Sequence, residues 1–216
     1  MRSILITLNA HLNKYECPEI IELTSTNDFD IASMGEQKTA LFVVNSDTDR
    51  SLDGIVNLFF TQAMNELCWH ADKHCVNNAL PVPVRFIMDD FATNCVIQDF
   101  PRMIASIRSR NISTMLMIQA ESQLEAQFGQ DAKTIIGNCD TYIYLGGNDI
   151  KTASAVAERC DQPMKKILNM PVGTNWIFRR GEAPVFAENS DLDELLEELQ
   201  DELQPADCIA NEEVGV

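Results

Sequence analysis

The chain has 216 residues, 45% hydrophobic and 23% charged, enough for one soluble α/β domain with a core of its own plus additional segments. No apolar run reaches the ~18 residues that a transmembrane helix needs. The formal net charge of −17 is uneven: residues 182–216 carry twelve acids and no Lys or Arg, so residues 1–181 hold only −5. Overall acidity therefore says little about whether the body touches nucleic acid.

The opening Met1-Arg2-Ser3-Ile4-Leu5-Ile6 is too short and too soon polar for a signal peptide, so a cytoplasmic chain is expected. Seven scattered cysteines with no C-x-x-C pair fit buried thiols in a reducing compartment, not a disulfide framework.

In chain order, residues 3–13 have helical spacing (Ile4, Leu8, Leu12), and Pro18 opens a second short helix from its first turn. Residues 39–44 (Thr-Ala-Leu-Phe-Val-Val) read as a buried strand. A long helix is expected over residues 51–72, with Ile55, Leu58, Phe59, Gln62, Ala63, Glu66 and Leu67 on one face. Residues 84–88 (Val-Arg-Phe-Ile-Met) form a second apolar run, opened by prolines and closed by Asp89-Asp90.

Further along, residues 100–110 read as a helix with Met103, Ile104 and Ile107 inward. Residues 113–118 read as a strand ending at Gln119. Helical pieces follow at 123–128 and 132–138. A strand is expected at 141–145, a helix capped by Asp149 runs to about Glu158, and a last strand covers 174–178. Strand–helix alternation of this kind argues a parallel sheet flanked by helices. The tail, 191–203, places Leu192, Leu195, Leu196, Leu199 and Leu203 on one stripe among acids, and disorder is expected beyond Gln204.

Three features can carry chemistry. In open α/β sheets, ligands bind at the carboxyl ends of the strands. An apolar strand ending in two acids is the pattern of a Walker B strand in a P-loop NTPase; it is also the pattern of a strand that merely ends at an Asp-Asp turn. Gln119, at the end of the next strand, can reach a γ-phosphate or be an ordinary strand-end amide. Arg108 and Arg110, just before that strand, can serve as an arginine finger to a neighbouring subunit's nucleotide or be a solvated basic helix end.

Two other stretches read as decoys. Gly35-Glu36-Gln37-Lys38-Thr39 looks like a P-loop fragment, but it lacks the glycine before Lys38 and feeds a strand instead of a helix, so it reads as a loop. Cys68-Trp69-His70-Ala71-Asp72-Lys73-His74-Cys75 has two His at i, i+4 between two Cys. Four ligands from so short a helical stretch do not easily close a tetrahedron, so it reads as a polar helix end, and no direct metal ligand is assigned.

Five blocks resemble conjugative coupling proteins of the TraG/TraD type, the ATPases of type IV secretion systems, in the flavour of mobile genetic elements. The blocks are Val84-Arg85-Phe86-Ile87-Met88-Asp89-Asp90-Phe91-Ala92, Ile104-Ala105-Ser106-Ile107-Arg108-Ser109-Arg110, Gln119-Ala120-Glu121-Ser122-Gln123-Leu124, Ile136-Gly137-Asn138-Cys139-Asp140 and Leu145-Gly146-Gly147. The resemblance runs from about Leu8 to Pro184. It implies the Walker B half of a RecA-like α/β nucleotide-binding core at 36–184. Residues 1–35 would be the returning end of an inserted helical domain, and 185–216 an acidic tail.

The resemblance also implies a hexameric ring around DNA, relaxase, relaxosome and secretion-channel partners, and a membrane anchor upstream. Asp89 would be the Mg²⁺-linked acid, Asp90 the catalytic carboxylate, Gln119 the γ-phosphate sensor and Arg108 the trans-acting arginine, with Arg110 as its alternative. Two departures from the pattern stand out. Asp90 replaces the usual Glu, one methylene longer, and no G-x-x-x-x-G-K-[ST] occurs. ATP binding would then need a P-loop from elsewhere. A non-hydrolysing docking module, and a DNA translocase fragment of the FtsK/HerA group, are the alternative readings.

Overall fold

The computed structural model describes residues 15–16, 18–27, 29–46, 50–94, 97 and 99–191. The helix expected at 3–13 and the tail helix with its disordered end lie outside the described residues. The chain divides into two compact units, Met1–Cys139 and Asp140–Val216.

In the first unit, α1 (Pro18–Ser25) starts at its proline, which needs no N–H partner in the first turn. The long helix α2 covers Asp53–His74, within two residues of the expected bounds at each end. Strands β1 (Val84–Met88) and β2 (Ile112–Leu116) pair in parallel, with Val84 opposite Ile112 and Met88 opposite Leu116. Between them lie α3 (Phe91–Asn94), α4 (Phe100–Ile104) and a 3₁₀ turn at Ile107–Arg110. Then come α5 (Glu121–Phe128) and α6 (Ala132–Asn138).

The core joins Met64, Leu67 and Ala71 of α2 to Val84, Phe86 and Met88 of β1. Phe100, Ile104, Leu124 and Ile135 from the later helices complete it. Phe91, fully buried at the end of β1, packs on Phe100 at 4.7 Å and stacks on Phe128 at 5.6 Å. Each such fully buried side chain contributes about 1.5–3 kcal/mol of transfer free energy.

Three expectations change here. Residues 39–44 form no strand; they have no regular secondary structure, and Phe42 and Val44 are 86% and 92% exposed. A strand needs a neighbour for its N–H and C=O groups, and among the described residues none pairs with this run. β1 is buried on one face only: Arg85 and Ile87 point outward, Ile87 at 61% exposure. The helices that supply the core meet the Val84–Phe86–Met88 face instead. Finally, α2 presents Ala63, Met64, Leu67 and Ala71 inward, while Leu58, Gln62 and Glu66 are exposed. Ala63 and Leu67 of the expected stripe are thus inward and Phe59 packs on the core, and the edge contact of Phe60 with Phe86 (6.4 Å) accompanies a face turned toward Met64 and Ala71.

The loop at Gly35 packs tightly. Gly35 ends a 3₁₀ turn, and a Cβ there would lie 2.6 Å from Leu80 Cδ2.

In the second unit, β3 (Thr141–Tyr144), β4 (Thr174–Arg179) and β5 (Val185–Glu188) form an antiparallel sheet in that order. A single parallel sheet was the expectation for the strands through 174–178, and β5 was not anticipated. The link from β4 to β5 spans only residues 180–184, a length that permits only an antiparallel return. Helices α7 (Ile150–Cys160) and α8 (Met164–Leu168) fill the connection from β3 to β4. As expected, Asp149 caps α7, its Oδ2 accepting from Thr152 N–H at 2.8 Å. One sheet face carries Tyr144 and Trp176, flanked by Tyr142 and Phe178, and packs on Val156 and Ile167 of the helices.

Candidate active site

The carboxyl ends of β1 and β2 are latched together. Met117 N–H donates to Met88 O (2.9 Å), and Phe91 N–H donates to Met117 O (3.0 Å). Between these bonds the chain turns sharply, with Asp90 at φ 47°. Asp tolerates this left-handed conformation better than most residues. The turn is held from within, because Asp89 Oδ1 accepts Asp90 N–H at 3.0 Å. The sequence Asp-Asp therefore makes its own turn, and it leaves Asp89 exposed and Asp90 half-buried at the strand end.

Gln119, three residues past β2, donates from Nε2 to Asp90 Oδ1 at 3.2 Å. Gln123, in the first turn of α5, donates from Nε2 to Gln119 Oε1 at 3.2 Å. The result is a chain of amide and carboxylate, Gln123 to Gln119 to Asp90, across the ends of two adjacent parallel strands. Gln123 was not foreseen in this role. Its signal was the i, i+4 spacing from Gln119, the distance at which side chains meet on a helical turn.

Arg108 and Arg110 are not at this end. Both sit in the 3₁₀ turn that precedes β2, at the opposite end of that strand. Arg110 makes a two-pronged pair with Asp72 of α2, Nε to Oδ1 at 2.9 Å and NH2 to Oδ2 at 2.8 Å, and its NH1 donates to Ser106 O. The bond to Asp72 holds the Arg110 guanidinium above its ordinary pKa. Arg108 is exposed.

The loop that resembles a P-loop fragment is built as a closed turn. Glu36 and Gln37 N–H groups both donate to Ser33 O, and Gly35 O accepts from Val82 N–H. The Glu36 and Gln37 backbone donors are thus engaged within the fold. In the His/Cys stretch, His70 Nε2 lies 3.0 Å from Glu36 Oε1, and the His70 and His74 rings stack at 5.4 Å. Burial raises the pKa of the Cys68 thiol, partly offset by Arg110. Among the described residues no group of three or more His, Cys, Asp or Glu is placed to hold a metal.

Residues 1–162 match the family model described as type IV secretory system conjugative DNA transfer. The chain belongs to that family. The likeness to coupling proteins of the TraG/TraD type read from the sequence is thus borne out. None of the curated proteins matches.

Among solved structures, the bacterial conjugative coupling protein TrwBΔN70, in an unbound monoclinic form, matches with a TM-score of 0.63 at 15% identity over 76% of this chain and 44% of that one. Plasmid coupling protein TrwB in complex with the non-hydrolysable GTP analogue GDPNP gives 0.63 at 16% identity, over 83% of this chain and 47% of that one. TrwB in complex with ADP and Mg²⁺ gives 0.60 at 16%, over 76% and 43%. The conjugative-transfer chain described here therefore has the coupling-protein α/β fold and spans less than half the length of those relatives. Among its described residues no helix is long and apolar enough to cross a membrane.

Proposed function

We propose that this chain supplies the acid half of the nucleotide site of a conjugative coupling ATPase, which links a relaxosome to a type IV secretion channel and drives export of DNA and relaxase. The observation that carries this reading is the hydrogen-bonded chain from Gln123 through Gln119 to Asp90, beside the exposed Asp89. Two acids and an amide at adjacent strand ends match what phosphoryl transfer asks of a protein, namely positioning and charge.

The acid side fits the magnesium form of a nucleotide. Asp89 would hold a water of the Mg²⁺ shell, and Asp90 would orient the attacking water, with Gln119 fixing the Asp90 carboxylate. The phosphate side does not fit, because the Gly35–Thr39 loop has no glycine before its lysine and the Glu36 and Gln37 N–H groups close a turn onto Ser33 O. The phosphate cradle is therefore assigned to a P-loop-bearing segment outside these residues, with ATP and Mg²⁺ bound only once that segment is present. When bound, the nucleotide supplies the phosphoanhydride whose cleavage powers transport.

Arg108 is the trans-acting arginine in this reading, reaching a neighbouring subunit's site in a hexameric ring around DNA. Arg110 is set aside for that role because its fork is occupied by Asp72. In this reading the assembly works at the cytoplasmic face of the membrane.

A second reading follows from the closed Gly35–Thr39 turn: a docking module that hydrolyses nothing. Conjugation from donor cells carrying Asp89→Ala separates the two. Loss of transfer with relaxosome binding intact supports the motor. Unchanged transfer, with loss only on removing residues 191–216, supports the docking module. Mass mapping of the native N-terminus, with the upstream reading frame, shows whether a G-x-x-x-x-G-K-[ST] belongs to the same polypeptide.

A further inference from the structure

The amide chain at the strand ends has a direction. A carboxylate offers acceptors only, so the part of Gln119 that meets Asp90 Oδ1 at 3.2 Å is its Nε2. That choice turns Gln119 Oε1 the other way, toward α5, where it accepts from Gln123 Nε2 at 3.2 Å. The same amide is thus held by two bonds of opposite sense. Turning it over would set oxygen against Asp90 Oδ1 and nitrogen against Gln123 Nε2. Gln119 Nε2 carries a second hydrogen. Among the described residues nothing accepts it, and Gln119 is exposed at the strand ends.

Gln119 itself lies in the irregular stretch between β2 and α5, and one bond does not fix so long a side chain. Gln123 stands on firmer ground. Its backbone N–H donates to Ala120 O at 3.2 Å, and its neighbour Leu124 is fully buried. At the far end of α5, Phe128 stacks at 5.6 Å on Phe91, the residue that follows Asp90. Asp90 and Gln123 are therefore both tied to the same packed core, and Gln119 spans the gap between them.

We infer that Gln123 is a positioning residue: it fixes the sense of the Gln119 amide, so that Gln119 presents an N–H, not its C=O, to an anionic oxygen of a ligand beside Asp89 and Asp90. This rests on the reading of these strand ends as the acid side of a nucleotide site. Without Gln123, Gln119 Oε1 is left to water and the amide is free to swing. Its second N–H then faces the ligand only part of the time. Removing a group that orients a ligating side chain typically costs about 10–100-fold in activity.

The test compares three substitutions of similar length. Gln123→Lys keeps a donor, Gln123→Met has no N–H or O–H to give, and Gln123→Glu offers acceptors only. An acid in the first turn suits a helix, so Gln123→Glu should not weaken α5. In this chain, nitrogen relaxation should show the Gln119 side-chain amide restrained in the parent and in Gln123→Lys, and loosened in Gln123→Met and Gln123→Glu. In conjugation from donor cells carrying the variants, transfer should stay near the parental level for Gln123→Lys. It should fall about 10–100-fold for the other two, most for Gln123→Glu. A role of shape alone predicts the reverse ranking, because Glu is nearly isosteric with Gln. Two results overturn the inference: a Gln119 amide as restrained in Gln123→Met as in the parent, or unchanged transfer in Gln123→Met and Gln123→Glu while Asp89→Ala still abolishes it. If Asp89→Ala is silent as well, the motor reading has failed first, and this inference falls with it.

Discussion

The parallel sheet of the first unit has two polar ends, built in opposite ways. At the amino end, Arg110 and Asp72 close on each other through two bonds under 3 Å. Leu80 N–H donates to Arg110 O, Asn111 Nδ2 donates to Leu80 O, and Val84 N–H donates to Asn111 O, so the backbone there is stitched as well. At the carboxyl end, Asp89 is exposed, and the acids are held by a single backbone N–H and one amide. An ion pair that satisfies itself stabilises a fold; acids left facing solvent on a rigid turn are available to a ligand. Both ends carry charged residues next to the same strand, and only the pattern of partners tells them apart.

A variant that removes the packing beneath the carboxyl end should have the largest effect. Phe91→Ala removes a fully buried ring that anchors the acid turn, and should destabilise the unit by about 3–5 kcal/mol in urea unfolding. Next is Arg108→Ala, expected to lower conjugation frequency by about 10³-fold. Arg110→Ala is its control: about 1 kcal/mol of stability is lost while the site's chemistry stays intact.

Asp90→Asn keeps a residue that accepts φ 47° and removes only the charge. It should lower transfer by about 10²-fold with little change in stability. A large loss of stability in that variant would mean that the carboxyl end is structural too.

The smallest effect is at Cys68. Burial raises its pKa, so the thiol is neutral near pH 7 and alkylates more slowly than an exposed thiol. Its contribution to stability is fully present below the thiol's unfolded pKa. It is lost as pH rises through the higher folded value, so labelling followed by intact mass should accelerate together with loss of stability.

Much of this was legible in local pattern. The apolar run ending in Asp89-Asp90, the strand ending near Gln119 and the Asp149 cap depend on residues close together in sequence, and each is found within a few residues of its expected place. What escaped depends on distant partners. Arg110 and Asp72 are 38 residues apart, and no spacing rule announces their bond. Residues 39–44 have strong strand character, yet pairing needs a neighbour that the described chain does not offer. The inward face of α2 keeps Ala63 and Leu67 of the expected stripe but takes in Met64 and Ala71 in place of Leu58, Gln62 and Glu66, a turn that depends on the core the helix meets. The antiparallel turn of β4 into β5 depended on the short 180–184 link, where Gly181 takes a φ of 81°.

Among the described residues no strand pairs with the outer edges of β1 and β2, and this has a consequence for handling the protein. Such an edge is a template for a strand from any chain, including a copy of itself. At neutral pH the −17 charge keeps copies apart, and that repulsion is long-ranged only in dilute salt. Concentrated salt, or acid strong enough to neutralise the carboxylates, removes the barrier while leaving the edges open. Solutions of this chain should therefore cloud first under those conditions, and light scattering should rise before the circular dichroism of the fold begins to change.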